Sequence, residues 1–391
     1  MSPADKAPTP DAAAEPDPDE SEDDPENAGP GPETEGNPKT RPLRMALTLA
    51  LGGVGGSLFH ELHMPLPWMI GGLVFTLIAS LSGAPLVRPK RLRIFMVPVL
   101  GVMLGAGFTP EAIGHAAEWL ASLAMLLVYA LGVTAMVSYY LVKVARWDAA
   151  TSYFSASPGG FGEMALLGEA MGADDRKISL NHSVRIMLTV LIIPFWFKFF
   201  EGYEPGNMMA LGTMTDVRPK DAAILIACAV VGYYVARRLR FPAAQLLGPT
   251  LVSAVVHMAG LTEARPPQEI VALAQVVIGA AIGCRFLGIS LRQVFGTMAQ
   301  AAAITAFMLG AALGGAWIVS QFTGLPVKTL WLAFAPGGLA EMTLISLSLG
   351  IDVAFVSVHH MVRVIFLVSM APIAFKVLEG ILKRAEAVNR A

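Results

Sequence analysis

The chain of 391 residues is 54% hydrophobic and only 15% charged, with a formal net charge of −2. A soluble domain carries about 25% charged residues, so this composition excludes a soluble enzyme and a basic nucleic-acid-binding module. The two cysteines, Cys228 and Cys284, both lie inside apolar runs, which leaves no disulfide framework and no thiolate metal site.

Charge is unevenly distributed. Residues 1–40 hold twelve acidic side chains, two basic ones and nine prolines, a local charge of −10, while the remainder carries 26 basic against 18 acidic groups. An acidic, proline-rich segment without an apolar face cannot offset its ordering entropy and is expected to be a disordered cytoplasmic tail. It lacks the basic and then apolar order of a signal peptide.

Beyond residue 40, apolar runs of spanning length fall near 45–62, 66–82, 94–110, 118–142 and 180–199. A second set falls near 222–238, 244–260, 271–288, 296–321 and 355–377. Two further apolar stretches, 149–172 and 327–350, are interrupted by Pro-Gly-Gly. Loop charges orient these runs, because short cytoplasmic loops collect Lys and Arg. Arg88, Lys90, Arg91 and Arg93 place the loop between runs two and three in the cytoplasm, and Arg41, Arg44, Lys143 and Arg146 agree. If the stretch 149–172 re-enters rather than crosses, Arg237, Arg238, Arg240, Arg285, Arg292 and the C-terminal Lys383 and Arg384 are cytoplasmic as well. If it crosses, the first three of these lie outside. The charges favour re-entry.

The sequence repeats internally. Pro158-Gly-Gly-Phe-Gly-Glu-Met164 recurs as Pro336-Gly-Gly-Leu-Ala-Glu-Met342, a spacing of 178 that also relates Asp174 to Asp352, His182 to His360 and Arg185 to Arg363. Gly101 and Gly105 map in the same way onto Gly279 and Gly283, and Pro65 through Gly71 onto Pro242 through Gly248 at 177. Chance likeness between apolar helices would not keep polar and helix-breaking residues in constant register. With five spans and one re-entrant element per unit, the second copy is inverted, an architecture of secondary transporters. With six spans the copies are parallel.

Candidate site residues follow from this doubling. Pro158, Gly159, Gly160 and their copies Pro336, Gly337, Gly338 free backbone groups that must face protein or a water-filled cavity. A structural kink is the alternative. Glu163 and Glu341 are costly at membrane depth unless paired, hydrated or protonated. They suit ion or proton coupling, or a buried pair that locks the break. His182 and Arg185, like His360 and Arg363, share a helix face. Their arginines suit pairing with the glutamates, fork-like binding of a carboxylate or phosphate, or snorkelling. His60-Glu-Leu-His63 is one residue short of the zinc motif. The glycine pairs at 101/105 and 279/283 read as close helix packing, and the absence of a Gly-Lys-Ser/Thr phosphate loop argues against an ATP-driven pump.

The doubled Pro-Gly-Gly-x-x-Glu-Met signature, each copy followed by His-x-x-Arg, together with Leu66-Pro67-Trp68-x-Ile70-Gly71, resembles the bacterial AbrB-duplication membrane family over residues 45–378. Members are labelled regulators of gene expression or ammonia monooxygenases. Scattered histidines do not make a copper site, and an acidic tail does not read DNA.

The expectation is therefore an all-α polytopic protein of the bacterial inner membrane with two homologous, inverted repeats. Each repeat has about five transmembrane helices plus one broken or re-entrant element. The segments are a tail (1–40), repeat 1 (41–200), a linker (201–221), repeat 2 (222–378) and a cytoplasmic C-terminal tail (379–391). The expected function is secondary transport of a small polar or anionic solute coupled to H⁺ or Na⁺. A membrane-embedded regulator is the alternative and a membrane oxidoreductase the third reading. No catalytic residue, metal, cofactor or nucleic-acid partner is assigned; the partners are the lipid bilayer and a small solute or ion, with homo-oligomerisation left open.

Overall fold

A computed structural model describes residues 40–108, 118–202, 212–239, 241, 243–289 and 291–390. The acidic tail before residue 40, Arg240 and Pro242 lie outside these. The described chain is helical without strands. Its helices are α1 (Arg41–Glu61), α2 (Pro67–Leu81), α3 (Lys90–Gly105), α4 (Trp119–Lys143), α5 (Ala149–Ala156), α6 (Phe161–Ala170) and α7 (Asp175–Phe200). After these come α8 (Pro219–Arg238), α9 (Ala244–Met258), α10 (Gln268–Gly283), α11 (Leu291–Thr323), α12 (Val327–Phe334), α13 (Leu339–Ser348) and α14 (Val353–Arg390).

Seven segments are long and apolar enough to cross a membrane: α1, α4, α7, α8, α10 with its short 3₁₀ extension, and most of α11 and α14. These are the helices of a multi-pass membrane protein. Three runs read as spans are shorter than the sequence suggested, since α2 and α9 have 15 residues and α3 has 16. At 1.5 Å per residue they reach about 23 Å, short of the roughly 30 Å hydrocarbon core. Two of these helices also begin abruptly. Leu66 and Ala243, at matching positions of the two copies, both sit in the left-handed region (φ 45° and 48°) immediately before α2 and α9. Such a conformation costs a non-glycine residue about 1–3 kcal/mol and persists only where surroundings impose it. At the other end of the chain, α14 continues through residues 379–390, where the sequence reading placed a tail. That stretch, Glu-Gly-Ile-Leu-Lys-Arg-Ala-Glu-Ala-Val-Asn-Arg, is rich in strong helix formers.

Helices from both halves of the sequence mix into two bundles. One contains α1, α2, α3, α8, α9 and α10; the other contains α4 to α7 and α11 to α14. In the first bundle, glycine lets backbones touch. A methyl on Gly55 or Gly71 would strike the facing helix backbone, and so would one on Gly232 or Gly248. Gly101 and Gly105 lie against α9 at Leu246, Thr250 and Ser253, while Gly279 and Gly283 lie against α2 at Met69, Leu73 and Thr76. In each pairing residue numbers rise together, so α3 runs parallel to α9 and α10 parallel to α2. Within the first half, α1 and α2 are antiparallel, since Gly55 meets Gly71 and Gly56 meets Trp68. Val87, just before α3, exchanges hydrogen bonds with Thr48 in the first half of α1, so α3 sets out from the end of the bundle where α2 finishes.

Both interrupted elements double back. The Asp174 backbone N–H, at the start of α7, donates to Thr151 Oγ1 at the start of α5 (2.8 Å). Late in α6, Gly168 abuts Phe154 of α5 and Ile178 of α7. Thus α5 runs inward, α6 returns, and α7 sets out again beside α5. The α12–α13 pair follows the same course: α14 lies alongside α12 in matching direction, with only residues 349–352 between the end of α13 and the start of α14.

Candidate functional site

Each residue of the Pro-Gly-Gly-x-x-Glu-Met motif has a physical assignment. Gly160 and Gly338 are the N-cap residues of α6 and α13, with φ of −62° and −74° that any residue could adopt. Backbone freedom is therefore not the reason for glycine here. A Cβ at Gly160 would fall on the carboxylate of Glu163, and one at Gly338 on that of Glu341. Each glutamate, in the first turn of its half-helix, folds back over the N-cap, where exposed N–H groups and the helix dipole favour negative charge. The first glycine of each pair serves the methionine: a Cβ at Gly159 would come within 2.9 Å of Met164, and one at Gly337 within 2.6 Å of Met342.

The His-x-x-Arg faces close the incoming half-helices from the opposite end. His182 Nε2 donates to the Phe154 carbonyl (2.9 Å) and Arg185 Nη1 to that of Ser157 (3.0 Å). Arg185 Nη2 donates to His182 Nδ1 (3.2 Å). In the second copy His360 Nε2 donates to Leu332 O (3.0 Å), and Arg363 donates to Ala335 O (2.6 Å) and Gly337 O (2.9 Å). Arg363 Nη2 also reaches His360 Nδ1 (3.0 Å). The last carbonyls of a helix have no partners within it, and a cation there is favoured by the dipole. With Nε2 donating and Nδ1 accepting, each imidazole is the neutral Nε2–H tautomer. The arginines thus hold the breaks in shape through carbonyl groups 26 and 28 residues earlier, a role the sequence reading did not include.

Both breaks face one cavity of about 40 Å³. Gly159, Gly160 and Glu163 line it together with Gly337, Gly338 and Glu341, and Arg185 reaches it between them. The opposite wall belongs to the other bundle, from the beginnings of α3 and α9 and the end of α10. Of the sequence-selected residues, Pro158, His182, Pro336, His360 and Arg363 stand behind this wall rather than on it. Two lining residues had been passed over: Arg93 on α3 and Arg285 after α10, each 7% exposed. The Arg285 guanidinium lies 4.2 Å over the Phe161 ring at the start of α6, a cation–π contact across the bundle interface. Their sequence signal was present but was absorbed into the cytoplasmic charge count.

A cavity built on paired helix breaks, walled by buried charges and set between two helical bundles, gives this polytopic protein a buried polar centre. Residues 68–379 match the family described as "Transition state regulatory protein AbrB", and the chain belongs to that family. It is similar to "Uncharacterized protein YhjN" of Bacillus subtilis (strain 168), with 28% identity covering 84% of this chain and 92% of that one. It is also similar to "Putative regulator AbrB" of Escherichia coli (strain K12), with 25% identity over the same shares of each chain.

Proposed function

We propose that the chain is a secondary transporter of a small polar or anionic solute, coupled to H⁺ or Na⁺, with its site at the two breaks. The observation that carries this reading is the meeting of both Pro-Gly-Gly-x-x-Glu-Met elements at one cavity between the bundles. Two oppositely oriented units in an inner membrane, both termini cytoplasmic, are part of the reading. Supporting the inversion is the direction of the helices: α2 runs parallel to α10, whereas α2 and α3 run opposite ways, so equivalent helices α3 and α10 point oppositely. The doubling back of both broken elements supports it as well, since each then contributes no net crossing. Irregular backbone at membrane depth is tolerated where it lines a cavity, and such breaks near the repeat interface form transporter sites. The glutamates would carry the coupling ion or proton, and sliding of one bundle on the other would change access. No catalytic step is invoked.

Solute uptake into proteoliposomes tests this. Glu163→Gln and Glu341→Gln are each expected to lower coupled uptake at least about tenfold, the loss of roughly 1.4 kcal/mol or more. Uptake that survives both substitutions overturns the glutamate role. A second reading draws on the printed name of the Escherichia coli relative: a membrane-embedded regulator that signals through its acidic tail. Deleting residues 1–40 separates the two, because a transporter keeps its flux and a tail-signalling regulator falls silent.

A further inference from the structure

One end of the first bundle is strongly basic. Val87 bonds Thr48 and so sets the loop before α3 against the first half of α1. Leu246 of α9 abuts Gly101 of α3, and Gly248 of α9 abuts Gly232 of α8, so α8 finishes at the end where α3 begins. Arg41 and Arg44 of α1, Arg91 of α3, and Arg237 and Arg238 of α8 therefore share that end, all exposed except the half-buried Arg44. The described residues among 40–48, 80–93, 236–247 and 280–289, which form it, include no acidic side chain. Arg88 and Lys90 lie there too and have contacts of their own. Chain continuity puts the acidic segment before residue 40 on the same side, since α1 begins at Arg41. We propose that this segment docks on the basic end of the first bundle as an internal ligand, with Arg41, Arg91, Arg237 and Arg238 as its principal contacts.

Charge and reach support this occupant. The segment carries twelve acidic against two basic side chains, and seven of the twelve fall from Asp17 to Glu26. The stretch from Asn27 to Thr40 spans about 20 Å as a flexible coil and about 40 Å if its prolines keep it extended. Helices packed about 8–10 Å apart make a bundle end of roughly 20–30 Å, which lies within that reach. A tether of this length holds the acidic run near the arginines at an effective concentration in the millimolar range. Anionic lipid headgroups are drawn to the same arginines, but none is tethered and each must be held separately.

The test places spin labels on the full chain in lipid nanodiscs, at Ser21→Cys in the acidic run and at Ser82→Cys, an exposed position of the basic end. Cys228 and Cys284 are buried. The distance between the labels is read by pulsed dipolar spectroscopy as salt is raised from about 0.1 M to about 1 M, which cuts the Debye length from about 10 Å to about 3 Å. A free acidic segment is extended by its own repulsion and contracts on screening, so its distance shortens. A docked segment is released, so the distance is expected to lengthen and its distribution to broaden. Arg91→Gln combined with Arg237→Gln and Arg238→Gln should abolish the lengthening. Replacing the seven acidic residues from Asp17 to Glu26 by their amides should abolish it too, and that variant decides if the arginine variant does not fold. Shortening with salt in the parent, or lengthening that survives either set of substitutions, overturns the proposal. Lengthening in phosphatidylcholine discs that is lost in discs containing phosphatidylglycerol also overturns it, by giving the basic end to headgroups. None of these readings requires flux, so a failure of uptake overturns transport and leaves the docking standing.

Discussion

The two bundles use glycine for opposite purposes. In the bundle of α1–α3 and α8–α10, glycine removes a side chain so that two helix backbones can touch, as Gly279 does against Met69 and Gly283 against Leu73. In the bundle with the breaks, Gly160 and Gly338 clear space for a side chain of their own motif, the carboxylate three residues on. The first use brings two backbones into contact. The second seats a charge. One bundle is therefore held by close packing, and the other by hydrogen bonds from His182, Arg185, His360 and Arg363 to helix-end carbonyls.

The sharpest way to break this contrast is to remove an arginine that holds a break. Arg363→Ala is expected to destabilise the chain by about 3–5 kcal/mol, the cost of dismantling a buried charged network. Arg185→Ala should cost less, because Arg363 donates to two backbone carbonyls and Arg185 to one. Chemical unfolding in detergent ranks the pair, and equal losses would deny that carbonyl capping is the stabilising contact. Gly279→Ala should follow, at about 1–3 kcal/mol, since the new methyl meets the Met69 backbone and the helices must separate. Gly160→Ala and Gly338→Ala should shift stability less, because the colliding atom is the end of a flexible glutamate, yet they should lower uptake by displacing that carboxylate. If these two variants lose stability as Gly279→Ala does and keep uptake, the proposed difference between the bundles is wrong. The smallest effect belongs to Lys177→Ala: its pair with Asp174 at 3.4 Å joins two side chains 46% and 40% exposed, and loss of less than about 0.5 kcal/mol is expected.

Much of the architecture could be read from the residues, because membrane helices are apolar throughout and the Pro-Gly-Gly breaks interrupt them in constant register. The all-helical fold, the membrane-length helices and the family follow from those features. The site was legible as a place but less so as a set of contacts. Glu163 and Glu341 lie at one cavity with four of the motif glycines, yet nothing in the spacing shows that glycine makes room for glutamate. The partners of Arg185 and Arg363 are backbone carbonyls, which carry no sequence signature. Arg93 and Arg285 were hidden differently. A charge near a helix end satisfies the loop-orientation rule whether it faces water or a buried cavity, and only the fold tells these apart. The short helices α2, α3 and α9 were overestimated because apolar residues beyond a helix end look the same as those within it.

The parallel pairing of α2 with α10 and of α3 with α9 also has a consequence in time. The two glycine-mediated contacts join residues about 150–210 positions apart in the chain, and proteins are synthesised at about 5–20 residues per second. The first three helices therefore wait roughly ten to forty seconds in the bilayer before the surfaces that cover their glycine faces have been made. Two of those helices are barely long enough to stay put. The glycine faces of the first half stay uncovered until the helices that meet them have been made.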